Sequence, residues 1–158
     1  PSAAKIAERA GVGLRSVFRH YEDKDSLYLE MHQIHVDAYG PEFREPYQSS
    51  DWHEQVIELI KRWARVNEAI APFRISLSVG RYNSKVLAKN YRELLKIERS
   101  LLDEILPEEI NKDKRVRQSI ALLAGFDTWR FFRQDEELSP RKTVETIEAL
   151  VRDLFARL

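Results

Sequence analysis

The chain of 158 residues sets 26 Lys and Arg against 26 Asp and Glu, so it is formally neutral, with 43% hydrophobic and 33% charged residues. That balance excludes a disordered chain and gives no global attraction to a polyanion, while the lack of Cys excludes disulfides and thiolate metal centres and fits a reducing cytoplasm. Five Gly and six Pro are few interruptions, which favours long helices over a turn-rich β fold, and the longest apolar run, residues 120–126, is too short to cross a bilayer, so no membrane partner is expected.

In chain order, residues 2–21 come first: SAAKIAERAGVGLRSVFRHY. Ser2 is a good N-cap, and Ala3, Ile6, Ala7 and Ala10 fall on one helical face. Gly11 ends that helix, because Gly takes the left-handed conformation without a Cβ penalty. Val12 then plugs the gap to a second short helix over 14–21, with Leu14, Val17 and Tyr21 inward. Its other face carries Arg15, Ser16, Arg19 and His20, all donors to phosphates or base edges, and no acid lies between residues 12 and 21. Two short helices on a tight Gly turn predict a helix-turn-helix that reads DNA, with Arg15 and Arg19 on bases or phosphates and Ser16 and His20 on the backbone. The bland alternative is a packed helical pair with no DNA role.

Asp23 restarts a helix, and Lys24 places a cation near a phosphate at its start. That helix carries Leu27, Met31 and Ile34 on one face and ends at Gly40-Pro41. Pro41, Pro46 and residues 48–50 read as a linker, giving two units: a head with its connecting helix over 1–45 and a helical body over 46–158. In the body, Asp51 caps a helix with Val56, Leu59, Ile60, Trp63 and Ile70 in register until Pro72, and a short apolar segment runs over 73–79. Further helices are expected over 84–106, over 112–133 and from Ser139-Pro140 to the end, with Val144, Ile147, Leu150, Val151 and Leu154 at three- and four-residue spacing. The fold class is all-α.

The helix over 112–133 is apolar on more than one stripe, and its small Ala124 and Gly125 permit close approach. A helix too apolar to be covered within one small subunit argues for a homodimer through a four-helix bundle, with Ile120, Ala124, Phe131, Ile147, Leu150 and Leu154 as interface candidates. Trp63, Phe73, Tyr82, Tyr91, Phe126 and Trp129 are spread over successive helices with Asn67, Arg74, Asn83 and Asp127 as polar anchors. Such a mixture builds a small-molecule pocket, although each aromatic taken singly also reads as core. His32 and His35, at i and i+3, lack the further ligands of a metal site and read as titrating surface histidines. No nucleophile elbow, phosphate loop or acid–base cluster appears, so neither an enzyme nor a cofactor is expected.

The stretch from Ser2 through IAERAGV, VFRHY, Lys24 and Leu27 resembles the DNA-binding region of TetR-family transcriptional regulators. Gly13 stands where that family commonly has Ser or Thr, and Phe18 where it has Tyr, so Phe18 keeps the position at DNA but not the phenolic contact. Residues 126–140, FDTWRFFRQDEELSP, resemble the C-terminal dimerisation region of the same family. The resemblance implies a further helix ahead of residue 1, an operator on double-stranded DNA, a homodimer and an unidentified small-molecule effector that releases a repressor. The alternative is a helical small-molecule binding protein without DNA recognition.

Overall fold

The computed structural model describes residues 7–9, 11 and 24–158, and of Lys24 the backbone alone. Arg15, Ser16, Phe18, Arg19 and His20 lie outside the described residues, as does the side chain of Lys24. Of the first segment, residues 7–9 are helical with Ala7 buried, and Gly11 sits at φ +63° with its N–H on the Glu8 carbonyl at 3.2 Å. A left-handed Gly at this point is the expected helix stop.

Every regular element among the described residues is helical. Helix α1 spans Lys24–Tyr39 and runs into a 3₁₀ turn, Gly40–Arg44. Helix α2, Trp52–Gly80, is the central element and packs against α1, α3 (Lys85–Asp103), α6 (Phe126–Arg130) and α7 (Pro140–Phe155). Between α3 and α6 lie α4 (Glu108–Lys112) and α5 (Lys114–Ala124), and a π-helical segment, Phe131–Asp135, follows α6. The main core joins Val56, Leu59, Ile60 and Trp63 of α2 to Ile120, Phe126, Trp129, Ile147 and Val151. A smaller cluster of Phe73, Leu77 and Leu87 lies at the far end of α2.

Local signals set the helix starts. The Asp51 carboxylate accepts from the His53 N–H at 3.0 Å, Ser84 Oγ from the Leu87 N–H at 3.1 Å, and Ser139 Oγ from the Lys142 N–H at 3.3 Å. Each occupies one of the donors left open in a first helical turn.

Two expected helix ends are corrected. Pro72 does not stop α2, which continues to Gly80. An internal proline costs about 3 kcal/mol, whereas burying Phe73 and Leu77 beyond it returns about 1.5–3 kcal/mol each, so the helix persists. Conversely, the single helix expected over 112–133 is broken at Gly125, which is extended at φ −74° and ψ 164°. A Cβ there would stand 2.9 Å from the Ala121 carbonyl oxygen, so only glycine lets the chain turn this close to the end of α5. The Thr128 hydroxyl donates to the Leu122 carbonyl at 2.5 Å and satisfies a terminal acceptor of α5.

The expected linker is fastened to α2. Buried Arg62 donates to the carbonyls of Glu42, Glu45 and Pro46 at 3.1, 2.6 and 2.9 Å and lies over the Tyr47 ring. The Glu58 carboxylate accepts from the N–H groups of Gln48 and Ser49 at 3.0–3.1 Å. At its other end α1 is tied to the body where Ser84 Oγ donates to Asp25 Oδ2 at 2.7 Å.

Candidate ligand chambers

Several cavities of about 280–490 Å³ border α2, and two of them, of about 410 and 280 Å³, adjoin at a common wall residue. The larger, about 410 Å³, lies among α2, α3, α5 and α6 and is walled by Trp63, Tyr91, Leu95, Leu102 and Phe126 with Arg74, Glu98, Arg99, Arg117 and Asp127. The smaller, about 280 Å³, lies beneath α1 and the 3₁₀ turn. Its wall is largely apolar: Val36, Tyr39 and Phe43 face Val66, Ile70 and Phe73 of α2 and Leu94, Ile97 and Leu101 of α3. Among the described residues, Arg74 alone belongs to both walls.

Helical spacing produces this arrangement. On α3, Tyr91, Leu94, Leu95, Glu98, Leu101 and Leu102 fall at three- and four-residue steps, so one stripe divides between the two chambers. Glu98 thereby meets Arg74, which projects from α2 beside buried Phe73. Arg74 is 5% exposed; its Nη1 donates to Glu98 Oε1, and its guanidinium carbon lies 4.4 Å from the centre of the Phe126 ring. A buried guanidinium must be both paired and oriented, and here the carboxylate and the ring do so together.

His32 and His35 border the smaller chamber against Phe73, with ring centres 6.2 and 4.8 Å from it. They are therefore half-buried wall residues and not the surface histidines expected. Burial holds both imidazoles below their ordinary pKa, and for His32 the neighbouring His35 adds to the effect. His35 Nδ1 is buried with no hydrogen-bond partner among the described residues, which suits a neutral ring. No group of three or more His, Asp or Glu among the described residues is placed to hold a metal ion.

The expected pocket aromatics divide. Trp63, Tyr91 and Phe126 wall the larger chamber and Phe73 the smaller, and the anchors Arg74 and Asp127 join the larger. Trp129 is core, stacked on Phe126 at 5.5 Å and bordering neither chamber. Tyr82 is 76% exposed at the corner between α2 and α3, where Arg81 Nη2 donates to its hydroxyl at 2.8 Å. Neither residue walls a chamber, because periodicity does not say which side of a long helix meets a cavity and which meets a neighbour. Glu98, Arg99 and Arg117 escaped sequence reading, although an acid such as Glu98 inside the Leu94–Leu101 stripe is the signal for a buried pair.

Interface candidates divide in the same way. Ile120, Ala124 and Ile147 are buried in the chain's own core, and Leu154 packs at the edge of the same core. Phe131 and Leu150 remain exposed, and Leu122, not singled out from sequence, is 65% exposed. The large apolar side chains that these helices leave exposed are therefore Leu122, Phe131 and Leu150.

The chain matches no family model, no curated protein and no solved structure.

Proposed function

We propose that the chain is a sequence-specific DNA-binding regulator of TetR type, a repressor released when a small molecule enters its helical body. The observation that carries the reading is the position of α1. It follows directly on the basic helix-turn-helix pattern of residues 2–21, and its His32, His35, Val36 and Tyr39 roof the apolar chamber. A molecule in that chamber bears on the helix that leads to the head, which gives a ligand a direct mechanical route to DNA affinity.

In this reading two copies present their heads to successive major grooves, about 34 Å apart, and the ligand favours a separation that no longer fits. Coupling of about 1–3 kcal/mol, typical of allosteric proteins, weakens operator binding by roughly 5- to 150-fold. Arg15 and Arg19 carry the base or phosphate contacts, with Ser16, His20, Phe18 and Lys24 beside them. The exposed Leu122, Phe131 and Leu150 supply the surface for pairing.

The test is fluorescence anisotropy of the full chain on duplexes tiling its own upstream DNA, with a salt series and scrambled controls. Binding to one duplex well above the controls, falling steeply with salt and weakened in Arg15→Ala and Arg19→Ala, is expected. Equal and weak binding to every duplex favours the second reading, a small-molecule binding protein without DNA recognition, because the described walls of both chambers lie within residues 32–127.

A further inference from the structure

The two chambers differ in chemistry, and their common wall residue is the buried guanidinium of Arg74. We propose that the effector is an elongated amphipathic organic anion, its apolar arm in the 280 Å³ chamber under α1 and a carboxylate-type head at Arg74, facing the 410 Å³ chamber. This names the chemical class of the effector, and so rests on the reading that the body holds one.

Three observations carry it. The smaller chamber offers an arm little but hydrocarbon and aromatic surface from Val66, Ile70, Phe73, Leu94, Ile97 and Leu101, so a molecule polar along its whole length leaves its polar groups unpaired there. At the junction, Arg74 engages Glu98 through Nη1 alone among the described residues, which leaves Nε and Nη2 as donors for a second acceptor. The Phe126 ring, 4.4 Å from the guanidinium carbon, holds the group in place beside the larger chamber.

The buried guanidinium decides the sign of the head. The larger chamber is walled by three guanidiniums, Arg74, Arg99 and Arg117, against two carboxylates, Glu98 and Asp127. Asp103, outside the wall, neutralises Arg117, so the groups balance and the sign of the head is set by the Nε and Nη2 donors of buried Arg74. A cationic head would bring like charge beside a buried guanidinium, where screening is weakest. Arg44 also borders the smaller chamber, but it is exposed and already solvated, so it offers an anion far less.

The experiment is calorimetric titration of the full chain with three probes of one arm length: sodium octanoate, 1-octanol and octylammonium chloride. Octanoate is expected to bind at least about tenfold more tightly than 1-octanol, the scale of a charge-assisted hydrogen bond over a neutral one, with octylammonium weakest. Arg74→Gln brings octanoate and 1-octanol level, and Ile97→Trp, which fills the arm chamber from a half-exposed position, weakens both. Because Arg74→Gln leaves Glu98 without its cation, the paired variant Arg74→Gln with Glu98→Gln gives the same readout with no buried charge left alone.

The head-group series on the unaltered chain decides the sign without any variant. Equal binding of octanoate and 1-octanol, tighter binding of octylammonium, or no binding of any probe overturns the proposal. Repeating the octanoate titration against the DNA anisotropy assay separates the two readings. Octanoate preference without DNA binding removes the regulator and leaves the ligand class standing. Salt-sensitive DNA binding without octanoate preference does the reverse.

Discussion

Ile120→Ala distinguishes a residue packed inside one chain from one on the face proposed for pairing. Ile120 is fully buried against the core formed by α2, α5, α6 and α7, whereas Leu122, two residues on, stands on the opposite side of α5 and is exposed. Truncation to Ala removes three carbon groups, about 2.4 kcal/mol at about 0.8 kcal/mol each. The unfilled cavity adds to that, and Ile→Ala replacements in cores span about 2–5 kcal/mol, so a loss of about 3.5 kcal/mol is expected. In a chain of 158 residues this lowers Tm by about 7–14 °C. The assay is urea and thermal unfolding at two protein concentrations fifty-fold apart, beside Leu122→Glu, with about fifty-fold chosen because association makes apparent stability concentration-dependent. Ile120→Ala should lower stability equally at both concentrations, while Leu122→Glu should leave dilute-chain stability nearly unchanged and remove any concentration dependence. A loss under about 1 kcal/mol for Ile120→Ala, together with disappearance of the concentration dependence, would place Ile120 at an interface and refute its packing inside the protomer.

Gly125→Ala sets a Cβ 2.9 Å from the Ala121 carbonyl oxygen and 3.4 Å from that of Leu122, so the α5–α6 corner must shift; a cost of about 1–3 kcal/mol in urea unfolding is expected, and a neutral result would show the corner is not tight. Arg62→Ala strips the carbonyls of Glu42, Glu45 and Pro46 of their donor at a cost of about 2 kcal/mol or more, read as faster amide hydrogen exchange in residues 42–49; unchanged exchange there would mean that the segment is held by something else. Since burial holds His32 and His35 below their ordinary pKa of 6.5, the unfolded chain takes up protons first as pH falls. Their contribution is therefore complete above about pH 6.5 and erodes below it, with His35 adding to the burial effect on His32, and the double variant His32→Phe with His35→Leu should flatten the urea midpoint between about pH 5 and pH 7.

Helix class and helix starts were legible because their signals are local. Asp51, Ser84 and Ser139 each cap a helix within three residues of themselves, and α7 repeats its apolar positions without interruption. What sequence pattern misplaces is decided between elements. Pro72 reads as a stop until burial of Phe73 and Leu77 is weighed against it, and Gly125 reads as a small contact residue until its approach to Ala121 shows a break. On α5 both stripes are apolar, so periodicity alone does not say that Ile120 turns inward and Leu122 outward. The chambers hide for a related reason. Their charged wall residues Arg74 and Glu98 sit in apolar stripes of two different helices, and each looks like an exception until the other is placed beside it.

The way α1 is held says where force from an occupant goes. Near its start, Asp25 accepts from Ser84, whose hydroxyl also caps α3 through the Leu87 N–H. Beyond its end, the three carbonyls gripped by Arg62 fasten the 3₁₀ turn and the following residues to α2. Between these fastenings the contacts of α1 with α2 and α3 are mainly the walls of the smaller chamber, where His32, His35 and Tyr39 meet Phe73 and its neighbours. Hydrogen bonds at the two ends are directional, whereas an apolar wall is not, so the middle of α1 has the least to lose by moving. In the regulator proposed above, an occupant therefore moves the middle of α1 first, and then the end held by the single Asp25–Ser84 bond, from which the chain continues to residues 2–21, before the end held by the three bonds of Arg62.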